Sequence, residues 1–168
     1  MFLHLLCGIP ASGKSTLSTN IPGYVISTDS IRKFLWNAES VIKHDRLVFS
    51  LAENIADYLL SKGTDIILDA TNLSKEKRGM FIKIARKYHA RVTLHWVNCP
   101  LETALERNAA RERKVPETVI KSLYKSFQLP KTEEGIDVIR LYDHKLQTVK
   151  IITQQFMLKR GKINLLQK

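Results

Sequence analysis

Residues 8–16 read GIPASGKST, which fits the phosphate-binding loop pattern G-x-x-x-x-G-K-[ST] at every defined position. In such a loop the glycines let the backbone curl, so that successive N–H groups point inward and surround phosphate oxygens. Lys14 is expected to reach the β- and γ-phosphates of ATP, and the Ser15 hydroxyl to bind Mg²⁺. The residues expected to bind the nucleotide are Gly8, Ala11, Ser12, Gly13, Lys14, Ser15 and Thr16. The loop therefore predicts nucleotide binding.

Asp29 is the first candidate for activating an acceptor group. It directly follows a short apolar run that ends at Ser27, and its carboxylate could accept the proton of an attacking hydroxyl. An Asp at this point is equally suited to cap a helix that begins at Ser30. Arg32 lies one helical turn further on, where its guanidinium could bind a substrate phosphate in a forked way or form a surface ion pair with Asp29.

A second polar group, Asp69-Ala70-Thr71-Asn72, follows the apolar run Ile66-Ile67-Leu68. Ligands of open α/β sheets collect beyond the carboxyl ends of the strands, which is where these residues would lie. Asp69 is expected to bind the acceptor or the Mg²⁺ shell, and Thr71 and Asn72 to donate hydrogen bonds to the acceptor. The alternative is that they are ordinary turn and cap residues.

Arg107 and Arg111 belong to a strongly basic stretch that ends at Lys114. Because they are four positions apart, they would share one face of a helix. A pair of arginines on a lid, here residues 107–116, could close over ATP and stabilise the charge that develops during phosphoryl transfer. The alternative is a solvated charged helix. The predicted catalytic residues are thus Lys14, Asp29 and Arg111.

The elements that must position these residues follow from hydrophobic patterning. Apolar runs of strand length alternate with amphipathic stretches of helix length, which predicts a parallel sheet of about five strands flanked by helices. The fold class is α/β, of the P-loop NTPase kind. The predicted strands cover residues 2–7, 24–27, 65–69, 92–97 and 137–141, and a last helix is predicted near 147–158.

Composition narrows the class of protein further. The chain has 168 residues and a formal net charge of +11, which predicts one domain and favours an acidic partner such as nucleic acid. The basic tail at residues 144–168 is expected to help bind that partner. No apolar run approaches the length of a membrane span, and Cys7 and Cys99 have no metal-site spacing. These features predict a cytoplasmic protein with two buried free thiols and no contact with a membrane.

Residues 2–142 resemble the kinase domain of phage-type polynucleotide 5′-hydroxyl kinases, which belong to the P-loop kinases with adenylate-kinase-like folds. The matching segments are GIPASGKST, Asp29-x-x-Arg32, Asp69-Ala70-Thr71-Asn72, Arg107-Asn108-x-x-Arg111, and Val115-Pro116 leading into Leu123-Tyr124-Lys125-Ser126. The resemblance implies that Asp29 activates the 5′-hydroxyl, that Arg32 binds the neighbouring phosphate, and that Arg107 and Arg111 lie over ATP. The chain departs from the family by a lid about one residue shorter and by the additional Ala70.

Three functions fit these motifs. The leading prediction is ATP-dependent phosphorylation of a 5′-hydroxyl on DNA or RNA, with Asp29 as general base. Kinases of small molecules or of aminoacyl-tRNA carry versions of the same motifs but would need a closed acceptor pocket, so the exposure of Arg32 and Trp36 distinguishes them. The third is a non-catalytic nucleotide-dependent module that binds nucleic acid, in which Asp29 has no reason to face the γ-phosphate.

Overall fold

A computed structural model describes residues 1–39 and 43–153. These residues form six strands, six α-helices and one 3-10 turn at Thr132–Glu134. In chain order the strands and helices are β1 (Phe2–Cys7), α1 (Lys14–Ser18), β2 (Tyr24–Ser27), α2 (Thr28–Trp36), α3 (Asp45–Ser61), β3 (Ile66–Asp69), α4 (Lys75–Lys87), β4 (Arg91–Val97), α5 (Leu101–Ala109), α6 (Glu117–Lys125), β5 (Val138–Tyr142) and β6 (Thr148–Thr153).

The strands form one sheet in the order β2-β3-β1-β4-β5-β6. The first five strands of that order are parallel, and β6 pairs antiparallel with β5. The predicted fold class is therefore confirmed, with a sixth strand added to the five expected. Because β1 lies between β3 and β4, the loops that follow these strands meet at one edge of the sheet.

The prediction of a helix near 147–158 is wrong for the residues of this range that the structure describes, because residues 148–153 form β6. Five of the six residues in β6 are β-branched, which favours an extended chain over a helix. A tight turn leads into the strand: the Asp143 carboxylate accepts the backbone N–H groups of Lys145 and Gln147, and Leu146 has a φ of 63°. Positions 154–158 of the predicted helix, and the rest of the predicted tail to 168, lie outside the described residues.

The core lies mainly on one face of the sheet, under α3 and α4. Alternate residues of β1, among them Leu3 and Leu5, are fully buried against Phe49 and Phe81 from these helices. Both cysteines are buried and free, as predicted, and burial raises the pKa of the Cys7 thiol to about 12. Among residues 1–39 and 43–153, no helix is both long enough and apolar enough to cross a bilayer.

Helix α5 ends at Ala109, earlier than the basic pattern predicts. The Asn108 side chain explains this end, because it donates to the Val115 carbonyl at 2.8 Å and accepts from the Val115 N–H at 2.9 Å. These two bonds fold the intervening residues into a short loop with a turn and bends over 110–113. Arg111 therefore lies on this loop, and the prediction that it shares a helix face with Arg107 is wrong.

Candidate active site at the carboxyl edge of the sheet

The phosphate-binding loop joins β1 to α1 and requires glycine at Gly8 and Gly13, the two glycine positions of its pattern. A Cβ atom on Gly8 would lie 2.9 Å from the carbonyl oxygen of Val97, so no larger residue fits without displacing β4. Gly13 has a φ of 107°, in the left-handed region that favours glycine, and a Cβ there would meet Leu146 at 3.3 Å. The loop backbone is thus packed closely against both β4 and the turn before β6.

Lys14 lies inside this loop, with 7% of its surface exposed. Its Nζ atom donates to the Ile9 carbonyl at 2.8 Å and to Oγ of Ser12 at 3.4 Å. Burial lowers the pKa of Lys14 to about 8, and the negative charge of Asp69 partly opposes that shift. An anion bound in the loop would restore the charged form, so the position of Lys14 fits a phosphate-binding role.

Ser15 and Asp69 come together at the ends of the loop and of β3. The Ser15 hydroxyl donates to Oδ2 of Asp69 at 2.9 Å, which places a hydroxyl oxygen beside a carboxylate oxygen. Mg²⁺ binds oxygen ligands and commonly takes one or two from the protein, with substrate phosphates and water completing its shell. The pair therefore fits Mg²⁺. The described residues contain no group of three or more His, Cys, Asp or Glu side chains that could hold a metal without such a substrate.

The Thr71 backbone and the Asn72 side chain hold the ends of the strands together. The Thr71 carbonyl accepts the N–H of Gly8 at 3.1 Å, which ties the end of β3 to the phosphate loop. Asn72 is 2% exposed, and its side-chain amide donates to the Leu6 carbonyl at 2.7 Å. The Asn72 side chain, which was predicted to contact an acceptor, is thus buried inside the fold and fixes the end of β1.

Asp29 lies in the first turn of α2, half exposed at the same edge of the sheet. Ser27 rather than Asp29 caps this helix, since Oγ of Ser27 accepts the N–H of Ser30 at 3.2 Å. The carboxylate of Asp29 is therefore free of the capping role that the sequence left open. Its negative charge also slightly opposes the lowering of the Lys14 pKa that burial causes.

Arg32 is 7% exposed and lies between two carboxylates. Its Nη1 atom donates to Oδ1 of Asp29 at 2.7 Å, while Nη2 and Nε donate to Oδ1 of Asp45 at 2.7 and 3.1 Å. Nothing in the sequence singled out Asp45, which is 13 positions away. The partly exposed Trp36 stacks on His44, with ring centroids 5.1 Å apart. A buried Arg32 is the feature expected of a closed acceptor pocket.

Two arginines of the lid, Arg107 and Arg113, contact different parts of the site. Arg107 donates to the Ser12 carbonyl at 3.2 Å and to the His144 carbonyl at 2.7 Å, so it joins the phosphate loop to the turn between β5 and β6. Arg111 is exposed on the loop after α5, and its positive charge adds to the lowering of the Lys14 pKa that burial causes. Arg113 lay within the basic stretch but was not predicted as a site residue. It crosses to α2 and bonds Asp29 at 2.9 Å.

Comparison with known proteins shows the family to which the chain belongs. A sequence model of an AAA domain family, AAA_33, matches residues 3–130, which is most of the chain. The chain belongs to this family. It is similar to the L-seryl-tRNA(Sec) kinase of Methanococcus maripaludis, with 28% identity over 147 residues that cover 81% of this chain and 56% of the relative.

Two relatives carry the name of polynucleotide kinases. The putative bifunctional polynucleotide kinase/RNA ligase of Autographa californica nuclear polyhedrosis virus is 30% identical over 142 residues, covering 74% of this chain and 20% of the relative. The bifunctional polynucleotide phosphatase/kinase of Schizosaccharomyces pombe is 27% identical over 136 residues, covering 78% and 31%. The chain thus spans about half of the first relative's length and less than a third of these two. Both acceptor classes left open by the sequence motifs are represented.

Solved structures confirm the P-loop kinase fold. A chain of the PezAT chromosomal toxin–antitoxin system of Streptococcus pneumoniae matches with a TM-score of 0.69 and 15% identity, covering 95% of this chain and 76% of that one. A gluconokinase from Sinorhizobium meliloti matches with a TM-score of 0.61 and 16% identity, covering 84% and 82%. A chain of the Pnkp1/Rnl/Hen1 complex matches with a TM-score of 0.57 and 20% identity, covering 90% and 46%. These identities speak to the fold alone.

Proposed function

We propose that this chain transfers the γ-phosphoryl group of ATP to a hydroxyl group carried by nucleic acid, with the 5′-hydroxyl of a polynucleotide as the leading acceptor. The observation that carries the proposal is Asp29, a half-exposed carboxylate in the first turn of α2, at the edge of the sheet where the phosphate loop also lies. The formal net charge of +11 favours a polyanionic acceptor. Two named polynucleotide kinases among the relatives support the same acceptor class.

In the proposed reaction the acceptor oxygen attacks the γ-phosphorus, and the bond from that phosphorus to the bridging oxygen of ADP breaks. The hydroxyl proton passes to the carboxylate of Asp29. Lys14 and Arg111 stabilise the negative charge on the transferring group, since transition-state charge is spread over its oxygens. Mg²⁺ bound through Ser15, with Asp69 beside it, would neutralise charge on the phosphates. Arg32 holds the Asp29 carboxylate in place.

A second acceptor is the hydroxyl of an amino acid esterified to tRNA. Two observations favour it: Arg32 is buried between Asp29 and Asp45, as a closed acceptor pocket requires, and a seryl-tRNA kinase matches 81% of this chain. In both cases Arg32 holds Asp29 in place. The chemistry at Asp29, Lys14 and Arg111 would be the same, because both acceptors are alcohols.

Transfer of labelled phosphate from ATP tests both acceptors in one assay with Mg²⁺. The acceptors are DNA and RNA oligonucleotides of one sequence with 5′-hydroxyl ends, seryl-tRNA, and a panel of free nucleosides. Label at the 5′ end of an oligonucleotide is the expected result. The same oligonucleotides with a 5′-phosphate are the matched control and should remain unlabelled.

Other outcomes are equally informative. If mild alkaline deacylation of seryl-tRNA releases labelled phosphoserine, the second acceptor replaces the leading one. Label on nucleosides alone would indicate a small-molecule kinase. ATP binding without label on any acceptor would contradict the proposed activity and favour the nucleotide-dependent binding module.

A further inference from the structure

Arg113 forms an ion pair with Asp29 across the acceptor side of the site. Its Nη1 atom lies 2.9 Å from Oδ2 of Asp29, and it also bonds the Glu39 carboxylate and, through Nη2, the Glu39 carbonyl at 3.3 Å. Arg32 already occupies Oδ1 of Asp29 at 2.7 Å. Each carboxylate oxygen of Asp29 therefore receives an N–H donor from a different arginine.

This arrangement hinders the role that the proposed reaction assigns to Asp29, because two charged donors compete with the acceptor hydroxyl for its oxygens. A carboxylate that accepts the proton of a hydroxyl needs an oxygen within hydrogen-bond distance of that hydroxyl. Arg32 is buried and also held by Asp45, whereas the side chain of Arg113 is 44% exposed and lies on the loop after α5. Arg113 is therefore the partner that an arriving acceptor can displace.

We propose that Arg113 covers Asp29 until an acceptor arrives, and that it then binds a phosphate of the acceptor next to the reacting hydroxyl. A guanidinium released from a carboxylate retains its charge and its forked donors, which suit a phosphate. Glu39, 28% exposed, holds Arg113 over Asp29 in the meantime. The inference deepens the proposed function and rests on it, because it requires Asp29 to be the base.

Water can compete with the acceptor for the γ-phosphoryl group. With ATP bound and Asp29 uncovered, a water molecule could attack the γ-phosphorus, lose its proton to Asp29 and release ADP and phosphate. Arg113 on Oδ2 of Asp29 competes with the water for this carboxylate and disfavours the proton transfer that hydrolysis requires. A covered base thus reduces loss of ATP when no acceptor is bound.

The test compares Arg113→Gln and Glu39→Gln with the wild type. Acceptor-independent ATP hydrolysis should rise several-fold in Arg113→Gln, because this variant releases Asp29, and should rise less in Glu39→Gln, which loses only the ion pair that helps to position Arg113. For a 5′-hydroxyl oligonucleotide, Arg113→Gln should raise KM about tenfold with little change in kcat, since a charged hydrogen bond to phosphate is lost. Glu39→Gln should leave that KM unchanged or lower it. Arg91→Gln, at an exposed arginine at the start of β4, is the matched charge control.

Two further comparisons tie the effect to Asp29 and to acceptor charge. The increase in hydrolysis should vanish in Asp29→Asn/Arg113→Gln. The wild type should phosphorylate an oligonucleotide whose first linkage is an uncharged methylphosphonate less well than the ordinary oligonucleotide. Arg113→Gln should phosphorylate the two oligonucleotides equally well.

If Arg113→Gln hydrolyses ATP at the same rate as the wild type and has the same KM for the oligonucleotide, the proposal is wrong. If the wild type labels no oligonucleotide, the proposed acceptor is wrong, and unchanged ATP hydrolysis in Arg113→Gln would then separately reject the covering of Asp29. A rise in hydrolysis that persists without Asp29 would also reject it.

Discussion

The Ser15 hydroxyl donates to Oδ2 of Asp69 at 2.9 Å, although Asp69 follows 54 positions later in the chain. The bond exists because β1 and β3 are adjacent and parallel, so that the loop after β1 and the carboxyl end of β3 meet at one edge of the sheet. It joins the hydroxyl expected to bind Mg²⁺ to a carboxylate that orients it.

Replacing Asp69 with Asn should raise the Mg²⁺ concentration needed for half-maximal phosphoryl transfer about tenfold, because the neutral amide neither attracts the cation nor orients Ser15 as well. Titration of activity with Mg²⁺ measures the shift. Asp57→Asn, at an exposed carboxylate on α3, is the control and should leave the titration unchanged. Equal Mg²⁺ requirements in both variants would remove Asp69 from the metal shell.

Replacing Asp29 with Asn should lower phosphoryl transfer by about 10²- to 10⁴-fold, because the amide cannot take the hydroxyl proton. ATP affinity should stay near the wild-type value, because Asp29 does not contact the phosphate loop through any hydrogen bond among the described residues. Single-turnover transfer and equilibrium ATP binding measure the two effects separately. Equal loss of both would mean that Asp29 has another role.

ATP binding should take up a proton at about pH 9 but not at pH 7. In the free protein the pKa of Lys14 is lowered to about 8, so Lys14 is largely neutral at pH 9 and becomes protonated when phosphates bind beside it. Calorimetry in two buffers with different ionisation enthalpies measures the uptake. Lys14→Gln should show weaker ATP binding with no such uptake, and uptake that survives this replacement would assign the proton to another group.

Replacing Arg107 with Ala should weaken ATP binding about tenfold, because Arg107 fixes both the Ser12 carbonyl of the phosphate loop and the His144 carbonyl of the turn beside it. Arg107→Lys should recover only part of the affinity, since an ammonium group lacks the planar fork that reaches both oxygens. Equilibrium binding of ATP distinguishes the three proteins. Full affinity in Arg107→Ala would show that the bridge is dispensable.

Acid should destabilise the fold through His95. Its Nδ1 and Nε2 atoms lie 3.0 Å from the Tyr142 hydroxyl and from Nδ1 of His4, and burial lowers the pKa of His95 to about 3. The unfolded chain binds a proton near pH 6.5 that the folded chain does not, so stability present above pH 6.5 falls as pH decreases towards 3. The expected loss is about 1.4 kcal/mol per pH unit from His95.

Urea unfolding at pH 7 and pH 5 measures this dependence. The free energy of unfolding of the wild type should decrease by about 2 kcal/mol more than that of His95→Gln over this interval, since glutamine does not titrate. The pKa of His4 is also lowered by burial, which adds to the wild-type slope in the same direction. Identical slopes in the two proteins would contradict the assignment.

Much of the site could be predicted because its parts are contiguous in sequence. GIPASGKST carries its own backbone geometry, and the strand-length apolar runs around it indicated five of the six strands. The positions of Asp29 and Asp69 at the ligand edge could be predicted for the same reason, since each follows an apolar run whose carboxyl end must reach that edge of a parallel sheet. These features depend on local patterning, which the amino-acid sequence alone determines.

Tertiary structure decided which partners the side chains meet. Arg32 was expected to bind a substrate phosphate, but Asp45 and Asp29 enclose it once α2 and α3 pack together. Arg113 resembles its basic neighbours in sequence, and only the loop that Asn108 closes directs it to Asp29. Ion pairs between distant residues depend on the distances and the burial that folding creates. The amino-acid sequence shows which residues are charged, but neither how far apart they lie nor how deeply they are buried.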